Sequence, residues 1–347
     1  MDQSNGGTEP ALAASGARPK SRLMGWLPGV LASALAIGVL WWLVDWSAVG
    51  KALAGVPAST LALAFGIYLV SAGARARCWQ LLLPERTGWG RVFVVMQEGY
   101  LLNNIFPFRL GELWRALIMG RTLSRPPLAI LSTIVIERMY DVVFAATMLL
   151  AALPFMVQGE RAEMVALICI AGVALLLLAL WAVIYFREQW RQWLAPRLVG
   201  APNLARTLYR QVEQVVDGFA VLTNAKQVAA SVAWMAVSWV CLVAEYYVLL
   251  RALMPQPPIA WALFALGAGM LGGALPSAPS GLGLFEAAIV SALALFGVPL
   301  SAALSLAILI HLFHALFSSA VGFWGILREG ETVFAVYHRV RNMVAST

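Results

Sequence analysis

Residues 103–112 read NNIFPFRLGE and interrupt an apolar run with a proline, a glycine and charged side chains. A second interruption, residues 276–286, reads PSAPSGLGLFE and also ends on a glutamate. The apolar runs before the two breaks, 89–106 and 259–275, are shorter than the roughly 20 residues that a helix needs to cross a bilayer. Paired interruptions at corresponding positions of two halves are typical of the binding site of a membrane transporter.

The composition indicates that a bilayer surrounds most of the chain. Hydrophobic residues make up 61% of the 347, charged residues 12%, and the mean hydropathy is +0.80. A soluble domain normally carries about a quarter charged residues. The net charge of +7 comes from arginines between apolar runs, which favours topology signals and contacts with anionic lipid headgroups over nucleic acid. The three cysteines lie far apart, so we expect neither a disulfide framework nor a metal site.

Hydropathy predicts an all-α polytopic membrane protein with about six spanning helices and two re-entrant helical hairpins. Apolar runs long enough to span occur at 26–44, 58–74, 127–157, 164–186, 228–250 and 300–327. The shorter pieces pair into hairpins near 89–119 and 259–298, with their tips at the Pro/Gly breaks.

The distribution of basic residues supports the hairpins. With the N-terminus in the cytoplasm, the basic clusters at 18–22, 75–91, 121–125, 187–226 and 328–341 all fall on the cytoplasmic side. If either hairpin were a single span, the later clusters would lie outside. One hairpin therefore enters from the cytoplasm and the other from outside, which predicts inverted repeats with both termini cytoplasmic.

The same patterns predict five regions along the chain. These are a disordered cytoplasmic tail (1–22), a first membrane half (23–186), a cytoplasmic amphipathic connector (187–227), a second membrane half (228–330) and a cytoplasmic tail (331–347). The connector has apolar residues at three- and four-residue spacing, which is typical of a helix lying on the inner headgroup layer. A plain surface helix linking the halves is the alternative. Arg75, Arg77 and Trp79 follow a span and are interpreted as interfacial anchors.

Charged residues at membrane depth are costly, and here they cluster at the breaks and on the helices that follow them. The candidate residues for substrate binding or translocation lie in three stretches and on one later helix: Asn103, Asn104, Pro107, Arg109, Gly111, Glu112, Arg115, Glu137, Arg138, Asp141, Pro276, Pro279, Ser280, Gly281, Gly283, Glu286 and His311. Arginine forks and free N–H groups at a helix N-terminus both suit a phosphate. The alternative is that these charges form ion pairs that only close the helix bundle.

Other chemistry has weaker support. His311 and His314 are three residues apart, a spacing that permits metal binding, but no third ligand lies nearby in sequence, which favours polar pore lining or headgroup contact instead. The chain has no HExxH, GxSxG or Walker A motif and no DxD pair. We expect no cofactor, no catalytic residues and no enzyme activity.

Three motifs resemble one known family. They are Asn-x-x-x-Pro-x-Arg-x-Gly-Glu-x-x-Arg at 103–115, Glu-Arg-x-x-Asp at 137–141, and Pro-x-x-Pro-x-Gly-x-Gly-x-x-Glu at 276–286. Together they resemble signatures of the lysylphosphatidylglycerol synthase transmembrane-region (flippase-type) family. The resemblance covers nearly all of residues 26–327 and implies two re-entrant hairpins and movement of a polar lipid between leaflets. The chain resembles stand-alone members of the family that lack the aminoacyl-transferase domain.

The resulting hypothesis is a lipid transporter or flippase in the bacterial inner membrane. Its expected partners are membrane lipids: an anionic or aminoacylated phospholipid, or a polyprenyl or hopanoid lipid. A headgroup phosphate would contact Arg109 and Arg115, Glu112 and Glu286 would balance charge, and the 137–141 cluster would gate. The alternative is a non-catalytic membrane partner of a lipid-modifying enzyme. A homo-oligomer is compatible with either.

Overall fold

The computed structural model describes residues 27–106, 109–152, 218–274 and 278–333, single positions between 164 and 193, and residues 335, 336 and 339. Most of the predicted span 164–186, most of the 187–227 connector, all of the 1–22 tail and most of the 331–347 tail lie outside the described residues. Ten α-helices have defined bounds: α1 Leu27–Leu43, α2 Trp46–Ala54, α3 Ala58–Leu82, α4 Trp89–Ile105, α5 Leu110–Thr122, α6 Pro127–Ala152, α7 Ala225–Leu253, α8 Ile259–Ala274, α9 Leu284–Ala294 and α10 Leu300–Arg328.

Among the residues that the structure describes, three helices are long and apolar enough to cross a membrane. They are α3, α7 and α10, with 25, 29 and 29 residues. α1 and α2 make a fourth candidate if they form one span, although the chain bends by 86° between them. Asp45 caps the N-terminus of α2 at this bend, where its side chain accepts hydrogen bonds from the backbone N–H groups of Ser47 and Ala48. The prediction of an all-helical, multi-pass membrane protein is confirmed.

The first predicted break separates α4 from α5. At 1.5 Å per residue these helices are about 26 and 20 Å long, each less than the ~30 Å hydrocarbon core. They pack almost backbone to backbone, because a Cβ added to Gly111 would lie 1.8 Å from the carbonyl oxygen of Gly99. The side-chain oxygen of Asn103 accepts a hydrogen bond from the Gly111 N–H at 2.9 Å and ties the two helix ends together. Arg109 lies at the turn with φ of 51°.

The second predicted break separates α8 from α9, which are again too short to span. A Cβ added to Gly272 of α8 would lie 2.5 Å from the Cβ of Ala288 of α9, so these helices also pack closely. A 3-10 turn, Pro279–Gly281, forms the tip, and Ser280 has φ of 63°. Glu286 caps α9 by accepting a hydrogen bond from the Gly283 N–H at 2.7 Å.

The helices assemble around α3 and α7, which pack along much of their length. Ser71 of α3 donates a hydrogen bond to the carbonyl oxygen of Ser238 of α7 at 3.0 Å. The surrounding core includes the fully buried side chains of Trp79, Trp114 and Trp239. The expectation that Trp79 anchors the chain at the interface is therefore wrong. Its indole N–H donates to the Thr133 hydroxyl at 3.0 Å within the bundle.

Candidate functional site

Both helix breaks open onto one cavity of about 460 Å³. α3, α4, α5, α6 and α10 contribute most of its polar wall, and the α8–α9 turn contributes the rest. The polar residues that line it are Tyr68, Ser71, Arg75, Tyr100, Asn103, Asn104, Arg109, Glu112, Arg138, Ser280, His311, His314 and Ser318. Apolar side chains such as Phe106, Leu242, Met270 and Phe285 complete it. The cavity therefore presents charge and hydrocarbon together, as an amphiphilic ligand would require.

A buried ion-pair network lies against one side of this cavity. Glu137 of α6 is 0% exposed, and its carboxylate lies 2.5 Å from Arg115 and 3.2 Å from Arg75. Asp141, one turn further along α6, lies 2.6 Å from Arg75 and 3.0 Å from Arg138. The (i, i+4) spacing of the two carboxylates places them on one helix face. The network joins α3, α5 and α6 into one rigid unit.

Arg75 was assigned to the membrane interface, and this interpretation is wrong. Its side chain is 9% exposed and contacts both Glu137 and Asp141. A signal for this was present: Arg75, Cys78, Trp79 and Leu82 are spaced i, i+3, i+4 and i+7, and all four are buried on one face of α3.

Arg109 is the arginine of this region that is most open to the cavity. Its side chain is 37% exposed, against 27% for Arg138 and 1% for Arg115. It donates a hydrogen bond to the carbonyl oxygen of Gly273 at 2.7 Å, and its other contact, with Glu112, is 3.4 Å long. The four arginines Arg75, Arg109, Arg115 and Arg138 face the three carboxylates of Glu112, Glu137 and Asp141, which leaves a surplus of one positive charge.

The opposite wall carries a chain of hydrogen-bonding groups that links the two breaks. The Nδ1 atom of His311, on α10, lies 2.5 Å from a carboxylate oxygen of Glu286. The Nε2 atom of the same ring lies 2.5 Å from the hydroxyl oxygen of Ser280. That hydroxyl also lies 3.2 Å from the side-chain oxygen of Asn104 on α4. The amide nitrogen of Asn104 in turn donates to Ser318 of α10 at 3.0 Å.

A second histidine–carboxylate pair lies one turn away on α10. His314 Nε2 is 3.2 Å from both oxygens of Glu245, a carboxylate of α7 that is 0% exposed. The imidazole stacks on the ring of Tyr68, with the centroids 4.1 Å apart. Tyr68 and Tyr100 are not among the candidate residues, because a tyrosine in an apolar run gives no distinctive sequence signal, whereas His314 is singled out in the sequence by its spacing from His311.

The structure divides the candidate residues into three groups. Those that line the cavity are Asn103, Asn104, Arg109, Glu112, Arg138, Ser280, Gly281 and His311. Those buried behind it are Arg115, Glu137, Asp141 and Glu286. The remainder shape the backbone at the breaks: Gly111 lies at the α4–α5 contact, and Pro279 and Gly283 flank the second turn. Pro107 and Pro276 lie outside the described residues.

Arg115 differs most from the expectation that it contacts a headgroup. Its guanidinium carbon lies 4.0 Å from the ring centroid of Trp79, and the guanidinium also contacts the Glu137 carboxylate. The side chain is 1% exposed and does not line the cavity. The arginines available to a ligand are therefore Arg109 and Arg138.

Comparison with known proteins agrees with the motifs. A model of the family described as lysylphosphatidylglycerol synthase TM region matches residues 29–322, which include both breaks and every residue of the cavity wall. The chain has no match among curated proteins. Because the match covers most of the chain, this protein belongs to the lysylphosphatidylglycerol synthase TM region family.

Proposed function

We propose that this protein is a lipid transporter of the bacterial inner membrane that moves a polar or charged lipid between leaflets. The observation that carries the proposal is the single cavity on which both helix breaks converge. Irregular backbone at membrane depth is tolerated where protein buries it or where it lines a cavity. Transporters place their substrate sites at such discontinuous helices.

The proposal includes a topology of about six spanning helices and two re-entrant hairpins, α4–α5 and α8–α9, related as inverted repeats with both termini cytoplasmic. The helix packing supports this arrangement. The first hairpin packs on α10 of the second half, where Gly322 allows close approach to Gln97 of α4. The second hairpin packs on α6 of the first half, where Gly267 of α8 lies close to Ala145. Each hairpin thus lies against the long helix of the other half.

The charge balance on the arginine side of the cavity favours an anionic headgroup, whereas the carboxylates of Glu245 and Glu286 lie on the opposite side, against His314 and His311. The surplus positive charge lies at Arg109, whose guanidinium is the most exposed of the four arginines and whose one ion pair, with Glu112, is 3.4 Å long. A phosphodiester carries one negative charge, which matches this surplus, and an arginine fork suits its oxygens. Arg138 is the second available donor, while the apolar wall formed by Phe106, Leu242 and Met270 suits the glycerol and acyl region.

A transfer assay in proteoliposomes tests the proposal. Vesicles contain fluorescent phosphatidylglycerol labelled on an acyl chain, and dithionite quenches the label in the outer leaflet. Wild-type protein should make the inner-leaflet label accessible. Arg109→Gln should reduce the rate at least tenfold, since a lost charge-assisted hydrogen bond costs about 1.5–3 kcal/mol.

Arg121→Gln is the matched control, because it makes the same change on the same helix at an exposed position outside the cavity wall. Size-exclusion chromatography shows whether each variant is folded. Full activity of Arg109→Gln would remove Arg109 from the proposed site. If wild-type protein moves no lipid alone but supports a lipid-modifying enzyme, it is instead the non-catalytic partner of that enzyme. Transfer of a radiolabelled group donor by the purified protein would contradict transport without covalent chemistry.

A further inference from the structure

The hydrogen-bonding groups that link the two breaks are Glu286, His311, Ser280 and Asn104. The number of hydrogens they share decides whether every contact among them has a donor. Glu286 lies at the N-terminus of α9, where the Gly283 N–H donates to its Oε2 atom. Backbone N–H groups and the helix dipole at this position stabilise the ionised carboxylate. An ionised carboxylate only accepts hydrogen bonds, so His311 Nδ1, 2.5 Å from Oε1, must carry a hydrogen.

The orientation of the Asn104 amide is set by α10. Its nitrogen lies 3.5 Å from the carbonyl oxygen of Ala315, which can only accept, and 3.0 Å from the Ser318 hydroxyl, which itself donates to the carbonyl oxygen of His314 at 2.7 Å. The Ser318 oxygen must therefore accept from Asn104. The oxygen of the Asn104 amide then faces Ser280, at 3.2 Å, and needs a donor.

Ser280 has only one hydrogen for two neighbours that could accept it. If His311 is neutral, its Nε2 atom has no hydrogen, and the hydroxyl hydrogen of Ser280 must go to that nitrogen. The Asn104 oxygen then has no donor from Ser280. If His311 is protonated, Nε2 donates to Ser280 at 2.5 Å, and the Ser280 hydrogen is free for Asn104. Only the protonated imidazole satisfies both contacts at once.

We propose that His311 is the binding site for a coupling proton, and that its protonation links the two helix breaks across the cavity. The inference rests on the proposed function. The proton holds Ser280 of the second break against Asn104 of the first, and its loss frees that contact. The side chain of His311 is 13% exposed, so a proton reaches it from the cavity.

The charges around His311 define which ligand binds together with the proton. Glu286 balances the imidazolium directly. The cavity also contains other titratable groups. These are the arginines Arg75, Arg109 and Arg138, the tyrosines Tyr68 and Tyr100, the carboxylate of Glu112, and the Glu245–His314 pair. A headgroup phosphate at Arg109 adds a negative charge to the space that His311 faces and therefore favours the imidazolium. Proton and anionic lipid thus bind cooperatively, and each increases the affinity for the other by the same factor.

Proton uptake on lipid binding tests the site without transport. Purified full-length protein in weakly buffered detergent solution at about pH 7.5, where histidines are largely neutral, receives short-chain phosphatidylglycerol while an indicator dye reports protons. Wild-type protein should take up a proton on binding, and His311→Gln should bind the lipid more weakly and, at a lipid concentration that saturates it, without uptake. His338→Gln, a histidine outside the described residues, is the matched control. Equal uptake by wild type and His311→Gln, or no uptake by either, would overturn the proposal.

Transport in an imposed pH gradient separates this inference from the proposed function. Wild-type vesicles should transfer fluorescent phosphatidylglycerol several-fold faster with the gradient than after a protonophore collapses it. Asn104→Leu, which removes the acceptor but leaves His311 in place, should abolish this difference. Gradient-independent transfer by wild-type protein would refute coupling and leave the transporter intact. Proton uptake on lipid binding without any transfer would instead refute the transporter and leave the proton site intact.

Discussion

Glu137→Gln should destabilise the protein strongly, because the carboxylate balances a buried arginine. Among the described residues, Glu137 is the only acidic partner of Arg115, at 2.5 Å, and these side chains are 0% and 1% exposed. Arg75, by contrast, retains Asp141. The amide preserves the shape of the side chain but leaves the Arg115 guanidinium buried without a counter-charge. Removing one partner of a buried pair costs about 3–5 kcal/mol, and we expect a loss of that size in the free energy of unfolding.

The double variant Glu137→Gln/Arg115→Met isolates the pair. Methionine fills much of the arginine volume without a charge, so the double variant contains no uncompensated guanidinium. Replacing both members of a buried ion pair is often close to neutral. The double variant should therefore lose less stability than the sum of the two single variants, with a coupling free energy of about 2 kcal/mol.

Unfolding in mixed micelles at increasing dodecyl sulfate measures these free energies. Tryptophan fluorescence follows the transition, and Trp79, stacked against Arg115, lies within the perturbed region. Glu85→Gln is the matched control, because Glu85 forms an exposed pair with Arg125 at 2.8 Å and exposed pairs contribute about 0–1 kcal/mol. A cost below 1 kcal/mol for Glu137→Gln, or strict additivity in the double variant, would refute the buried network.

Two further substitutions test the geometry of the breaks. Gly111→Ala should sharply reduce thermal stability and the yield of folded protein, because its Cβ would overlap the Gly99 carbonyl oxygen. Gly90→Ala is the control on the same hairpin: the added Cβ has no heavy atom within 4 Å, so neither stability nor yield should fall. Arg109→Gly and Arg109→Ala both remove the side chain, but only glycine relieves the left-handed φ of 51°. The glycine variant should be about 1 kcal/mol more stable than the alanine variant. Both variants should lose lipid transfer. Equal stability of the two variants would show that the turn is unstrained.

The helix breaks were predictable from the sequence because their causes are local. A proline in an apolar run disfavours a continuous helix, and the length of each apolar run shows whether it can cross a bilayer. The beginnings of α3, α6 and α10 coincide with the predicted apolar runs at 58, 127 and 300 for the same reason.

The partners of the charges were not predictable, because they lie far apart in sequence. Arg75 meets Asp141 across 66 positions, and Asn104 meets Ser280 across 176. An arginine at the end of an apolar run has the same local sequence whether it faces the interface or a carboxylate on another helix. The spacing of Arg75 with Cys78, Trp79 and Leu82 indicates a buried helix face, but only the packing of α3 against α6 identifies the carboxylates that Arg75 contacts.

Burial separates the charges that hold the structure from those that face the cavity. Glu137 and Arg115 are at most 1% exposed, so they cannot reach a ligand without unfolding the bundle. Arg109 and Arg138 are 37% and 27% exposed, so a headgroup can contact them while the network beneath keeps its geometry. A transporter needs both, because a site that rearranged completely on binding would spend the binding free energy on its own reorganisation. Burial thus assigns different roles to different residues in the proposed site: the buried pairs stabilise the wall, and the exposed arginines on it are the ones we expect a lipid phosphate to contact.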